Sequence, residues 1–315
     1  MGEFELIERC FKSLTPARSD VVLGIGDDAA LLRPPPGELV VACIDTLVCG
    51  VHFPPDMTPE DVGYRAAAVN LSDLAAMGAT PRWALLALSL PTGDEAWLDG
   101  FARGLADALL PVGVALVGGD TTRGPLTVTV QMLGTVPDDG KALRRQGARP
   151  GDLLYVSGTP GDAAGGLAGW GRPAADGQLL ARFRRPLPRL GLGQGLRGLA
   201  SACIDVSDGL LADATHVAEA SGCGLLLDPS LLPLSDALRA ALGHEAALTA
   251  ALTGGDDYEL CFCAPAAHAD AVAALAQRVG CRVTRIGEAV AGSGLALKDS
   301  RGLGHTVGVG GYRHF

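Results

Sequence analysis

The stretch PDDGKALRRQGARPGD, residues 137–152, decides how this chain is divided. It opens on a proline and a doubled aspartate before glycine, carries Arg144 and Arg145, and closes on another Pro-Gly-Asp. Those residues turn a chain rather than continue an element: Gly takes positive φ, Pro fixes φ, and Asp bonds its own backbone. Upstream, β-branched runs predict strands at Val21–Ile25, Glu38–Ile44, Ala84–Leu90, Ala115–Val117 and Leu126–Leu133. Between them a helix is expected over Thr58–Met77. Thr58 serves as cap, Pro59 stands at the first position, Glu60 and Asp61 sit at the positive end, and Gly78 stops it. A second helix is expected over Asp94–Leu110. Downstream, strands are predicted at Leu153–Val156, Ala202–Val206, near Leu225, and at Tyr258–Cys263, Val283–Ile286 and Leu295–Leu297. Helices are predicted at Gly161–Trp170, from Pro188, and at Asp208–Ala220. Strands and helices mix in both halves without strict alternation. The fold class is therefore α/β with mixed sheets, in two domains, 1–137 and 151–315, joined by a linker over 138–150.

Bulk properties exclude several classes. The 315 residues are 48% hydrophobic and 19% charged, a globular balance rather than a disordered one. The formal charge of −10 repels a nucleic-acid backbone, so no nucleic-acid partner is expected. The opening MGEFELIERCF has acids where a signal peptide has bases, and no apolar run is long enough for a bilayer. No membrane association and a cytoplasmic location follow as expectations. There the eight cysteines are reduced, and no Cys-x-x-Cys pair suggests zinc. Cys261 and Cys263 alternate within a strand-like run and read as small apolar residues on one sheet face. The 44 glycines show no repeat period, which removes collagen and solenoid readings.

The acids carry the chemical signal. Gly24-Ile25-Gly26-Asp27-Asp28 ends the first predicted strand and Asp45 the second. Asn70 and Asp73 share a face of the long helix. Gly118-Gly119-Asp120 ends a third apolar run, Asp205-Val206-Ser207-Asp208-Gly209 joins a strand to a helix, and Gly254-Gly255-Asp256-Asp257 precedes a strand. One Gly-Asp pair is ordinary turn chemistry. Doubled Asp after doubled or near-doubled Gly, in both halves, is more than turns require. Such carboxylates suit hydrated magnesium and polyphosphate. The three lysines, at 12, 141 and 298, complete no phosphate-binding P-loop, and no protein-kinase catalytic loop is present. Phosphates would then be held by metal, backbone amides and arginine. Ser207 has no His and acid at triad spacing, which disfavours a hydrolase.

Taken in order, GIGDDAA (24–30), DTLV (45–48), GVHF (50–53), AVNLSDLAAMGATP (68–81), GGDTTRG (118–124), RRQGARPGD (144–152), VSGTPGDAAGGL (156–167), IDVSDGL (204–210), GGDDYEL (254–260) and GYRHF (311–315) resemble the thiamine-monophosphate kinase family over nearly the whole chain. The resemblance implies a two-domain fold like aminoimidazole ribonucleotide synthetase, with N-terminal strands pairing across a homodimer. It implies ATP as co-substrate, several Mg2+ ions, and thiamine monophosphate as acceptor. By position, Asp27, Asp45, Asp73, Asp120, Asp205 and Asp208 resemble magnesium ligands. Gly119, Asp120, Arg145, Ser207 and Arg103 resemble ATP contacts, with Arg103 standing where an aromatic is usual. His52, Asp256 and Tyr312 resemble thiamine-phosphate contacts. No residue is implied as a general acid or base. Cys43-Ile44 replaces the usual Ser-Thr, so metal ligation there would fall to backbone carbonyls, and Cys49 replaces a usual acid. Two other readings remain: a different ATP-using enzyme of the same superfamily, and a non-catalytic nucleotide-binding protein on this scaffold.

Overall fold

The computed structural model describes residues 9–298 and 304–306. The chain forms two compact units: residues 1–74 with 79–140, and residues 75–78 with 141–315.

In the first unit, a two-stranded ribbon pairs β1 (Val21–Leu23) with β2 (Leu31–Leu32). A four-stranded sheet has the order β3-β6-β4-β5, made by β3 (Glu38–Val48), β4 (Thr80–Leu90), β5 (Ala115–Arg123) and β6 (Thr127–Pro137). All four strands extend beyond the bounds the sequence predicts, and two of the extensions reach candidate residues. Asp45 does not end β3 but lies inside it, opposite Val130, and Gly119-Asp120 lies inside β5. The β5 extension is polar and largely exposed, and the β3 extension is interrupted by Asp45 and Thr46, so neither shows a continuous apolar run. The helices α1 (Pro59–Ala76) and α2 (Glu95–Leu109) pack backbone to backbone. A Cβ on Gly104 would stand 1.8 Å from the Glu60 carbonyl oxygen, and one on Gly63 would stand 2.1 Å from that of Phe101. Glycine at these two positions sets how closely the helices approach. Asp94 caps α2, its carboxylate accepting from the amides of Ala96 and Trp97.

In the second unit a seven-stranded sheet has the order β13-β12-β9-β11-β7-β10-β8. Its strands are β7 (Asp152–Ser157), β8 (Ala202–Val206), β9 (Gly224–Leu227), β10 (Glu259–Pro265), β11 (Val283–Val290), β12 (Gly294–Lys298) and β13 (Gly304–Thr306). The helices are α3 (Asp162–Ala168), α4 (Gly177–Arg184), α5 (Leu190–Leu196), α6 (Leu210–Ser221), α7 (Asp236–Leu242), α8 (His244–Thr253) and α9 (Ala269–Arg278). Alternation along β10 divides two cores. Cys261 and Cys263 join the α6 stripe of Leu210, Leu211, Ala214, Val217 and Ala218. Leu260, Phe262 and Ala264 pack on the other face with Leu192, Leu196, Val272 and Leu275. All eight cysteines are free thiols, and burial pushes those of Cys203, Cys261 and Cys263 well above the ordinary range. Among the described residues no helix is long and apolar enough to cross a membrane.

Candidate active site

Asp45 belongs to β3 and Asp73 to α1, and the two carboxyl groups are close enough for Asp73 to influence the titration of Asp45. Burial pushes the Asp45 carboxyl above its ordinary range, outweighing Asp73 and His52, which pull it down. Two carboxyls this close repel each other when both are ionised, unless a proton or a cation lies between them. His52 is presented by the tight turn that follows β3. Its amide donates to the Val48 carbonyl at 2.9 Å, and the Gly50 amide donates to that of Phe53 at 2.8 Å. The His52 Nδ1 accepts the Val48 amide at 3.0 Å, so in the neutral ring the proton sits on Nε2.

The register places the other acids. Asp45 lies opposite Val130, Val130 opposite Leu86, and Leu86 opposite Gly119, one continuous row across the sheet. Three strand spacings separate its ends, roughly 14 Å. Asp120 stands one residue on, in the row that ends on Thr46, so it and Asp45 lie at neighbouring levels on the two edge strands of the sheet. Asp27 is exposed in a turn where Gly26 has φ 126°, and its carboxylate accepts the Asp28 amide at 2.8 Å. Among the described residues, no three His, Cys, Asp or Glu side chains stand together as a preformed metal cage. The Asp45–Asp73 pair, two hard oxygen donors and half-buried, does fit a magnesium ion that keeps water and phosphate oxygens as its remaining ligands. Cys43 turns its thiol toward the Asn70 carbonyl, 3.5 Å away, and Ile44 is 62% exposed on the edge strand. Arg103 is engaged on the protein surface with Glu60, 2.5 Å away, which ties α2 to the first turn of α1. A cavity of about 540 Å³ lined by Arg18, Asp20, Arg33 and Arg82 contains none of the candidate residues.

In the second unit Asp205 is the last residue but one of β8, and Ser207 and Asp208 follow in the turn before α6. Asp208 does not cap that helix. The capping position falls to Gly209, φ 116°, and Asp213 reaches back from the first turn of α6. Its Oδ2 accepts three amides, from Ser207 at 3.0 Å, Asp208 at 3.1 Å and Gly209 at 3.2 Å. Burial, then Asp205 and Asp208, push the Asp213 carboxyl up to about 7. No motif in the sequence singles out Asp213. Its signal was an acid in the first turn of a helix that follows a glycine. Arg145 is exposed, with its backbone held by Ser221, whose Oγ donates to the Arg145 carbonyl at 3.2 Å and accepts the amides of Gly147 and Ala148.

The loop before β10 carries Asp256. Its amide donates to the Ser207 carbonyl at 2.9 Å, and that of Tyr258 donates to Val206 at 2.8 Å, so the loop lies along the end of β8. Asp256 has φ 70° and Tyr258 φ 50°; they are the two non-glycine residues with positive φ among those described. Each such conformation costs about 1–2 kcal/mol, and such strain concentrates at functional sites. The Tyr258 hydroxyl donates to Asp256 at 3.3 Å, placing an aromatic beside the acid. Tyr312 lies outside the described residues.

Comparison with known proteins fits this arrangement. The AIR synthase related protein N-terminal domain matches residues 26–136, and the AIR synthase related protein C-terminal domain matches residues 149–300. The class is therefore that of AIR synthase related two-domain proteins. The thiamine-monophosphate kinase of Escherichia coli K12 is 49% identical over 322 aligned positions, covering 100% of this chain and 98% of that protein. The crystal structure of thiamine-monophosphate kinase from Stenotrophomonas maltophilia K279a superposes with a TM-score of 0.88 at 48% identity, covering 94% of this chain and 96% of the other. A structure of AaThiL complexed with AMPPCP and TMP gives 0.78 at 31% identity, over 100% and 97%. The chain belongs to the thiamine-monophosphate kinase family.

Proposed function

We infer that this protein transfers the γ-phosphoryl group of ATP to the phosphate of thiamine monophosphate, giving thiamine diphosphate. The observation that carries this is identity close to one half along the entire length of a relative with that name, covering every acidic motif. A phosphate oxygen of the acceptor attacks the γ-phosphorus in line. That oxygen is already ionised near neutral pH, so no general base is required. Two anions must be brought together, and positioning and charge neutralisation dominate the barrier. Magnesium, when bound, supplies that neutralisation. We assign Asp27, Asp45, Asp73, Asp120, Asp205 and Asp208 to holding several such ions, with the backbone carbonyls of Cys43 and Ile44 as further oxygen donors. Gly119, Asp120, Arg145 and Ser207 are assigned to ATP, with Arg103 as an outer contact. His52, Asp256 and Tyr312 are assigned to thiamine phosphate, whose thiazolium cation suits an acid beside an aromatic ring.

The domain division proposed is 1–137 and 151–315, with residues 138–150 between them. We propose further a cytoplasmic homodimer. The free thiols support a reducing compartment. The edge strand β3, with Leu39, Val40 and Ile44 at least half exposed, supports pairing with a second copy. The test is purified protein with ATP, magnesium and either thiamine monophosphate or thiamine, with the products separated by chromatography. Thiamine diphosphate from the monophosphate, and no product from thiamine, is expected. Equal turnover of both acceptors would reject the acceptor chemistry, and no turnover of either would reject the enzyme reading.

A further inference from the structure

The strained loop alternates. Asp256 and Tyr258 hold positive φ, and the residues that follow each of them, Asp257 and Glu259, point into the second unit and are buried. The Asp257 carboxylate accepts the amides of Gly161 at 2.7 Å and Ala163 at 3.3 Å, at the start of α3. Glu259 is fully buried and accepts from four donors: Ser157 Oγ at 2.5 Å, Arg182 Nη2 at 2.6 Å, and Arg189 Nε and Nη2 at 2.6 and 2.5 Å. Arg182 also reaches the Asp257 carbonyl at 3.4 Å, so one guanidinium grips both anchors. Space is reserved for this: a Cβ on Gly158 would stand 2.0 Å from a Glu259 carboxylate oxygen.

One buried carboxylate, Glu259, against two guanidiniums is a poor device for stability alone, because apolar side chains of similar volume do as well or better. What such a lattice supplies is direction, since the planar guanidinium fork admits few orientations. The direction supplied here is that of the backbone between the anchors, where Asp256 sits in a conformation that a side-chain-bearing residue does not keep unaided.

We propose that Asp257, held by the amides of Gly161 and Ala163, and Glu259, gripped by Arg182 and Arg189, are positioning residues that hold Asp256 in the left-handed conformation from which it meets thiamine phosphate; this rests on the reading of Asp256 as a substrate contact. The clamp touches neither substrate. Loosening it raises the KM for thiamine phosphate and leaves that for ATP nearly unchanged.

The experiment compares Asp257→Asn, Glu259→Gln, Arg182→Gln and Arg182→Lys in the full chain. It measures the KM of each substrate and the melting temperature, with Asp256→Asn alongside. A rise of tenfold or more in the KM for thiamine phosphate is expected in the first three, with the KM for ATP within about threefold. Arg182→Lys, which keeps the charge and one contact, should recover part of the loss. Equal rises in both KM values, or a lowered melting temperature with both KM values unchanged, overturn the proposal. Should the buried-acid variants fail to fold, the Arg182 pair decides, since that side chain is 12% exposed; a wild-type KM in Arg182→Gln then overturns it. If Asp256→Asn raises the KM for thiamine phosphate and the clamp variants do not, the proposal fails alone. If Asp256→Asn changes nothing, the reading of Asp256 fails and takes the clamp with it.

Discussion

Replacing Asp213 by alanine tests whether the turn at 207–209 is shaped from within the helix that follows it. The carboxylate is 3% exposed, and its Oδ2 takes three backbone amides within 3.2 Å. Hydrogen bonds contribute about 0.5–1.5 kcal/mol each to a neutral acceptor and about 1.5–3 kcal/mol to an ionised one, and this carboxyl, pushed up to about 7, lies between the two near neutral pH. Three sharing one oxygen are not additive, and removing the acceptor also relieves the repulsion from Asp205 and Asp208. A net loss of about 3 kcal/mol in holding the turn follows, a factor of roughly 150. Asp213→Asn keeps the shape and one acceptor, and about 1 kcal/mol, or fivefold, is expected. The assay is kcat/KM for ATP at saturating thiamine monophosphate, with circular dichroism to confirm folding. The alanine variant should fall about a hundredfold and the asparagine variant less than tenfold. A folded Asp213→Ala protein within twofold of wild type would refute the claim that this carboxylate sets the turn.

Asp45→Asn and Asp73→Asn should each abolish turnover while leaving the melting temperature within a few degrees, because the pair is half-buried and acts by charge; near-normal activity in either folded variant would remove it from the site. Gly104→Ala drives a methyl group to 1.8 Å from the Glu60 carbonyl oxygen, and overpacking of about 3 kcal/mol should lower the melting temperature by roughly 10 °C in a thermal scan. The protein should scatter light as a dimer at micromolar concentration, and Ile44→Lys, which places a charge on the exposed edge of β3, should shift it toward monomer; a wild-type monomer would count against strand pairing.

Much of this architecture was readable in the residues, and the failures have specific causes. The long helix was bounded to within a residue at each end because Pro59 and Gly78 punctuate it. The faces of β10 were readable because Cys261 and Cys263 alternate with Leu260 and Phe262. The extension of β5 past Gly118 is not, since polar residues on exposed strand carry no apolar alternation, and that of β3 is masked by Asp45 and Thr46, which break the apolar run before Leu47. Helices α4, α7, α8 and α9 are not legible because they are short: α4 runs into the Pro- and Arg-rich stretch from Arg182, and α7 and α8 follow each other with Gly243 between. At the site, the acidic motifs stood out as motifs. The pairing of Asp45 with Asp73 is a contact between a strand and a helix that no local pattern encodes. Asp213 and Tyr258 were hidden for a related reason: each acts on residues beside it through a backbone geometry that appears only once the turn is closed.

The buried cysteines give the second unit a built-in reporter. Cys203, Cys261 and Cys263 sit on the last two strands of the sheet, β8 and its neighbour β10, no more than 1% exposed and with thiols held protonated by burial. An alkylating reagent attacks the thiolate, so these positions are silent for as long as β8 and β10 remain paired. Their labelling rate under mild denaturant, read peptide by peptide in a mass spectrometer, therefore measures how often that sheet opens without any probe having to be introduced.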